Sequence, residues 1–234
     1  MSIDIVLSSG FLAFARQAGF LAAVEQSGID VDGVCGTSSG ALAGSLWAAG
    51  VPSETIAERL SERAPIWSAR LHLQPWRGLL SLRHVVKQLR DWLPATFEEL
   101  PRPFAVGVRA PDGSATLLDS GPLPEAVAAS CAIPGVFAPI QVMGVGYQDG
   151  GVVDRTGLSS WESLRGERPT LLHLVQRSAK GVEPEGQMPQ RVQIVRTARS
   201  GASLWNLGDF SGQMEQARRS TSDVLGSWRP GRTS

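Results

Sequence analysis

The stretch that most constrains this chain is Val31-Asp32-Gly33-Val34-Cys35-Gly36-Thr37-Ser38-Ser39-Gly40, followed by Ala41-Leu42-Ala43-Gly44-Ser45-Leu46-Trp47. A β-type run enters Gly36, and a helical pattern of small residues leaves Gly40. Strand, tight turn and helix in that order make an elbow, and G-x-S-x-G with Ser38 at its centre fits one. A Cβ at position 36 or 40 would crowd the neighbouring backbone, and glycine removes the conflict. Ser38 Oγ then projects from the turn. The Ser39 amide points toward a helix start, where the dipole and free N–H groups favour negative charge.

The rest of the chain supplies a βαβα beginning. Residues 3–7 read as a buried strand and 8–10 as a turn. Residues 14–26 place Phe14, Ala18, Leu21 and Val24 on one helical face, with Gly28 as the stop. Residues 31–35 form the second strand, and the elbow helix runs to about position 49. This order predicts parallel strands. Functional groups should gather at their carboxyl ends, where residues 8–11 and Ser38 fall. Pro52 opens another helix, and residues 83–92 are helical. Residues 104–110 and 115–118 form a hairpin around Asp112-Gly113. A short helix over 122–130 precedes a turn-linked pair, 140–143 and 145–148, ending in Asp149-Gly150-Gly151. Later strands cover 171–175 and 192–195, a helix covers 205–228, and 230–234 form a frayed tail. Residues 64–81 break the pattern with much apolar bulk. They read as a core-covering loop or as the greasy rim of a cleft.

Bulk properties exclude several classes. With 234 residues, 42% of them hydrophobic, the chain can bury one sizeable core, so a single domain over 1–234 is expected. Equal counts of basic and acidic residues, 22 each, argue against a nucleic-acid partner. Cys35 and Cys131 make no disulfide framework and suit a reducing cytoplasm; Cys35 reads as a small core residue. No signal-like N-terminus and no apolar run near 18 residues is present, so any membrane contact would be transient and interfacial. His72, His84 and His173 and the two cysteines lack metal-ligand spacing, so neither metal nor other cofactor is expected.

A serine hydroxyl needs a base to take its proton. His72 and His84 have no spacing that suggests the role. His173 lies inside an apolar strand-like run, the usual place of a satisfied core histidine. Ser38, Asp149 or Asp154, and His173 do follow the chain order of an α/β-hydrolase triad. An elbow after the second strand, however, comes early for that fold. Asp149 ends a strand and precedes two glycines. A carboxylate there could approach Ser38, and burial would raise its pKa toward that of a useful base; taken alone, Asp149-Gly150 reads rather as a plain turn, like Asp32-Gly33 and Asp112-Gly113.

The run Pro124-Glu125-Ala126-Val127-Ala128-Ala129-Ser130-Cys131-Ala132-Ile133-Pro134-Gly135-Val136-Phe137-Ala138-Pro139, then Tyr147-Gln148-Asp149-Gly150-Gly151, resembles the signature block of patatin-like phospholipases. That family carries A-S-x-A-x-P-x-x-F leading to D-G-G or D-G-A, a G-x-S-x-G after strand two and a glycine-rich loop after strand one. The resemblance covers about residues 3–158. It implies a three-layer α/β/α sandwich with a mainly parallel sheet. It also implies a serine acyl hydrolase of lipase, phospholipase or esterase type that cleaves fatty-acyl esters through an acyl-enzyme. Matching positions make Ser38 the nucleophile and Asp149 the base of a Ser–Asp dyad.

The first loop departs from the family's L-S-G-G-G-x-[RK]-G. Here Leu7-Ser8-Ser9-Gly10-Phe11-Leu12-Ala13-Phe14 keeps Leu7, Ser8 and Gly10. An oxyanion hole needs amides aimed at the developing charge, and those of Ser9, Gly10 and Phe11, with Ser39, are the expected donors. Side chains at 9 and 11 could forbid backbone angles that glycine permits. The alternative readings are a decayed patatin fold that binds an acyl chain or a protein, and an acyltransferase. The expected substrate is a fatty-acyl ester or phospholipid, with Phe11, Phe14, Trp67 and Trp76 lining the acyl pocket.

Overall fold

The computed structural model describes residues 2–62, 70–71, 80–176, 188–203 and 206–228. In chain order the elements are β1 (Ile3–Leu7), α1 (Phe14–Ser27), β2 (Val31–Thr37), α2 (Ser39–Ala48), α3 (Ser53–Ser61), β3 (Arg70–Leu71), β4 (Leu80–Ser81) and α4 (Arg83–Trp92). They continue with β5 (Phe104–Arg109), β6 (Ala115–Leu118), α5 (Leu123–Ser130), β7 (Ile140–Val142), β8 (Val145–Asp149), α6 (Leu158–Arg165), β9 (Thr170–Val175), β10 (Val192–Thr197) and α7 (Phe210–Ser227). The main sheet runs β10-β9-β1-β2-β5-β8-β7, with β6 also paired to β5. Strands β10, β9, β1, β2 and β5 are mutually parallel, whereas β6, β7 and β8 pair antiparallel.

Period-two alternation sorts the strand side chains between two faces. Ile5, Leu7, Val34, Phe104 and Val106 enter the large apolar cluster with Phe20 and Leu21 of α1, Leu46 of α2, Ile56 of α3 and Val127 of α5. Val6, Cys35, Ala105 and Leu172 face the other way and meet Leu158 and Trp161 of α6. Helices therefore cover both faces, which gives the expected three-layer α/β/α sandwich. Each fully buried Leu or Ile contributes about 1.5–3 kcal/mol of transfer free energy.

Helix α6 was not anticipated. It is eight residues long and buries only Leu158 and Trp161, too few positions to show a helical period. The C-terminal helix starts later than expected, at Phe210, where the Asp209 carboxylate accepts the Gly212 amide at 2.9 Å. Most of the irregular stretch 64–81, including Trp67 and Trp76, lies outside the described residues, as does the expected frayed tail 230–234.

The arrangement of β5 places the site. Val106 pairs with both Gly36 and Leu118, so β2 and β6 occupy opposite edges of β5. Val108 pairs with both Thr116 and Asp149, so β8 lies opposite β6 and shares the edge of β2. Strand β2 stops with Thr37 opposite Gly107, and Asp149 takes the next place, opposite Val108. The end of β8 thus meets the elbow at the end of β2.

Candidate active site

Ser38 sits between β2 and α2 with φ 55° and ψ −118°. A non-glycine residue at positive φ costs of order 1–3 kcal/mol and persists only where the surroundings impose it. The surroundings here are backbone. A Cβ on Gly36 would lie 2.5 Å from the Gly40 carbonyl oxygen, and one on Gly40 would overlap the Leu7 carbonyl oxygen. The Ser38 amide donates to Ser130 Oγ at 2.8 Å, and Ser130 Oγ donates to the Gly107 carbonyl at 2.7 Å. The Ser38 carbonyl accepts the Leu42 amide at 3.0 Å and the Cys131 thiol at 3.5 Å. The elbow is thereby tied to β5 and to the end of α5.

Ser38 Oγ donates to Asp149 Oδ2 at 2.8 Å. The other carboxylate oxygen, Oδ1, accepts the Gly151 amide at 2.8 Å, and the Asp149 amide donates to the Ala132 carbonyl at 3.0 Å. Both ends of the residue are therefore fixed. Asp149 is only 4% exposed. Burial pushes its carboxyl up to about 6, against the opposing pull of the Gly151 amide and the Ser38 hydroxyl. A carboxylate with that pKa, bonded to a serine hydroxyl on a strained turn, can take the serine proton near neutral pH. Cys131, beside it, has its thiol pushed up by burial and by the Asp149 charge.

The first loop differs from expectation in two respects. The Ser9 amide donates to the Arg155 carbonyl at 2.7 Å, so it is not a free donor and leaves the expected oxyanion set. Ser9 and Phe11 do not take positive φ. The left-handed residue of the loop is Leu12, at φ 50°. Positions 9 and 11 therefore do not require glycine, and the conflict expected from their side chains does not arise. The amides of Gly10 and Phe11 bond to no carbonyl or side chain among the described residues. Ser39 opens α2, whose first-turn amides lack intrahelical acceptors.

Sequence reasoning missed Arg155. Its side chain is buried and donates to the Ser9 carbonyl at 3.1 Å and to the Val175 carbonyl. It ties the first loop to β9 from the turn after Asp149-Gly150-Gly151. A charged residue after a glycine-rich turn gives no local sign of burial.

His173 is not a partner of Ser38. It is fully buried in β9 and stacks on Phe20 with ring centroids 4.6 Å apart. Its Nδ1 lies 2.7 Å from Gln17 Oε1, and its Nε2 lies 2.9 Å from Thr197 Oγ1. Burial lowers its pKa to about 3, so the ring is neutral. Asp154 is engaged in its own turn, accepting the Thr156 and Gly157 amides. The histidine triad is therefore not assembled. Of the residues expected to line an acyl pocket, Phe11 is exposed and Phe14 packs half-buried against the large cluster.

Residues 5–160 match the model of the patatin-like phospholipase family. An uncharacterized NTE family protein of Mycobacterium tuberculosis is 33% identical over 156 residues, covering 65% of this chain and 43% of that protein. Neuropathy target esterase sws of Drosophila melanogaster is 39% identical over 70 residues, 30% of this chain and 5% of that protein. The match to the mycobacterial protein thus spans less than half of that protein's length. The crystal structure of VipD from Legionella pneumophila superposes with a TM-score of 0.63 at 13% identity, covering 96% of this chain and 67% of that one. That of the type III effector protein ExoU does so with a TM-score of 0.52 at 12% identity, covering 96% and 53%. At such identities the likeness is one of fold.

Proposed function

The chain belongs to the patatin-like phospholipase family, and from that membership we propose that it is a serine acyl hydrolase acting on fatty-acyl esters through a Ser38–Asp149 dyad. The observation that carries the reading is the 2.8 Å hydrogen bond from Ser38 Oγ to the buried Asp149 carboxylate. Ser38 Oγ attacks the ester carbonyl carbon while its proton passes to Asp149 Oδ2. The carbonyl π electrons move onto oxygen, where the amides of Gly10, Phe11 and Ser39 receive the charge. Donors of this kind are each worth about 10²–10³ in rate.

The tetrahedral intermediate collapses with cleavage of the ester C–O bond. The proton on Asp149 goes to the departing alcohol, leaving an acyl group on Ser38 Oγ. Water then adds to the acyl carbon, with Asp149 again taking a proton. The second collapse releases the fatty acid and returns that proton to Ser38. An alcohol in place of water would give acyl transfer.

Hydrolysis of medium- and long-chain p-nitrophenyl esters by wild type and Ser38→Ala tests the reading, alongside labelling with a fluorophosphonate probe. The expected result is turnover and stoichiometric labelling by wild type, with both lost in the variant. Equal turnover by the two proteins would overturn it, and a wild type that binds acyl chains without reacting would favour a binding module.

A further inference from the structure

We propose that Gln17, held in orientation by His173, is a positioning residue for the amide cradle beside Ser38. This rests on the hydrolase reading, because the cradle's purpose is to receive the oxyanion. Its donors come from two separate segments. Gly10 and Phe11 lie on the loop after β1, whereas Ser39 opens the helix after β2. Such donors act only if their relative placement is held to within about half an ångström.

Gln17 reaches both segments. From the first turn of α1, its Nε2 donates to the Ser8 carbonyl at 2.8 Å and to Ser39 Oγ at 3.3 Å. Gln17, Ser8 and Ser39 are all buried, so water does not compete for these bonds. The Ser8 carbonyl can only accept, which fixes the amide nitrogen on that side and turns Oε1 toward His173. His173 must then donate from Nδ1, at 2.7 Å, and accept at Nε2 from the Thr197 hydroxyl, at 2.9 Å. The low basicity of the buried ring keeps Nε2 unprotonated and open to that hydroxyl. Phe20, stacked face to face at 4.6 Å, holds the ring plane. Strand β9 adds a further tie to the first loop, because Ser8 Oγ accepts the Val175 amide at 3.0 Å.

The chain Thr197–His173–Gln17 is thus a directional set of hydrogen bonds ending on Ser8 and Ser39, and no member of it touches the substrate. Removing the Gln17 amide frees the two segments to shift relative to each other. That loosens the transition state more than the bound ester, so kcat falls while KM holds.

The experiment compares wild type, Gln17→Met, His173→Phe and the double variant, each normalised to folded protein. It measures kcat and KM for a p-nitrophenyl ester and the rate of Ser38 phosphonylation. Gln17→Met is expected to lower kcat and the phosphonylation rate about 10- to 100-fold, with KM within about twofold of wild type. His173→Phe is expected to lower kcat less, and the double variant to fall no further than Gln17→Met. A Gln17→Met protein with wild-type kcat, or with KM alone changed, overturns the proposal even if it melts earlier. Should that variant not fold, unchanged kcat in His173→Phe overturns it instead. A wild type that neither hydrolyses nor labels overturns the hydrolase reading, and this proposal with it.

Discussion

Ser130 Oγ accepts the Ser38 amide at 2.8 Å, although the two residues are 92 positions apart. The same hydroxyl donates to the Gly107 carbonyl, so it is oriented before Ser38 bonds to it. Ser130→Ala takes from the amide of a strained residue the acceptor it has here, and from the Gly107 carbonyl the hydroxyl that donates to it. An unsatisfied buried group costs about 1–3 kcal/mol. The expected outcome is a stability loss of that size in denaturant melts, with kcat reduced about tenfold through misplacement of Ser38.

The Asp149 carboxyl, raised to about 6 by burial, must be ionised to accept the Ser38 proton. Activity is therefore expected to rise with pH, and kcat/KM should show an acid limb with a midpoint near 6. Asp149→Asn should lose about 10²–10⁴ in kcat and the limb with it. A pH–rate profile of wild type and variant checks both.

The same carboxyl has a stability consequence of opposite character. A folded-state pKa above the unfolded value means that stability is full below the unfolded pKa and falls as pH rises through about 6. Asp149→Asn should therefore stabilise the protein by up to about 3 kcal/mol at pH 8 and by only about 0.5 kcal/mol at pH 4. Thermal melts of both proteins at the two pH values measure the difference. A site that gains stability on losing its charge is the expected mark of function set against stability.

His173 gives the reverse slope. Its folded-state pKa, near 3, lies below the unfolded value, so the unfolded chain binds the extra proton and stability falls as pH drops below about 6.5. The loss is about 1.4 kcal/mol per pH unit for a single group. In His173→Phe the slope is absent, so the stability advantage of wild type over the variant should shrink steadily from pH 6.5 toward pH 4. Denaturant midpoints across that range provide the measurement.

Gly40 and Gly226 make a contrasting pair. A Cβ at 40 would overlap the Leu7 carbonyl of the central strand, whereas one at 226, in α7, meets nothing within 4 Å. Gly40→Ala is expected to cost about 3 kcal/mol or more and to abolish turnover. Gly226→Ala is expected to stabilise by about 0.5–1 kcal/mol through helix propensity alone. Melting of the two variants distinguishes steric requirement from composition.

The strands and most helices were legible because their signals are local. Alternating apolar residues, a stop at Gly28 and the Asp112-Gly113 turn each act within a few residues. Helix α6 was illegible because its eight residues bury only two side chains. The first loop was misjudged for a different reason. Ser9 and Phe11, where the family's pattern has glycine, suggested lost backbone freedom, yet the positive φ falls on Leu12. Arg155 gave no sign either, since the carbonyls it binds, Ser9 and Val175, are supplied by the loop after β1 and by the end of β9.

By itself, the sequence determined the elbow around Ser38 and the alternation of strands and helices, because each depends on neighbours along the chain, while Asp149 was singled out by the resemblance of residues 124–151 to the family's signature block. Tertiary structure alone decided that β8 would end on the free edge of β5 beyond Thr37, and so bring Asp149 to Ser38. It also decided which amides stayed unpaired among the described residues, giving the Ser9 donor to the Arg155 carbonyl and the Gln17 side chain to the first loop and the start of α2 at once. The reason is competition. A buried donor takes whichever acceptor the fold places opposite it, and that acceptor lies far away in the chain.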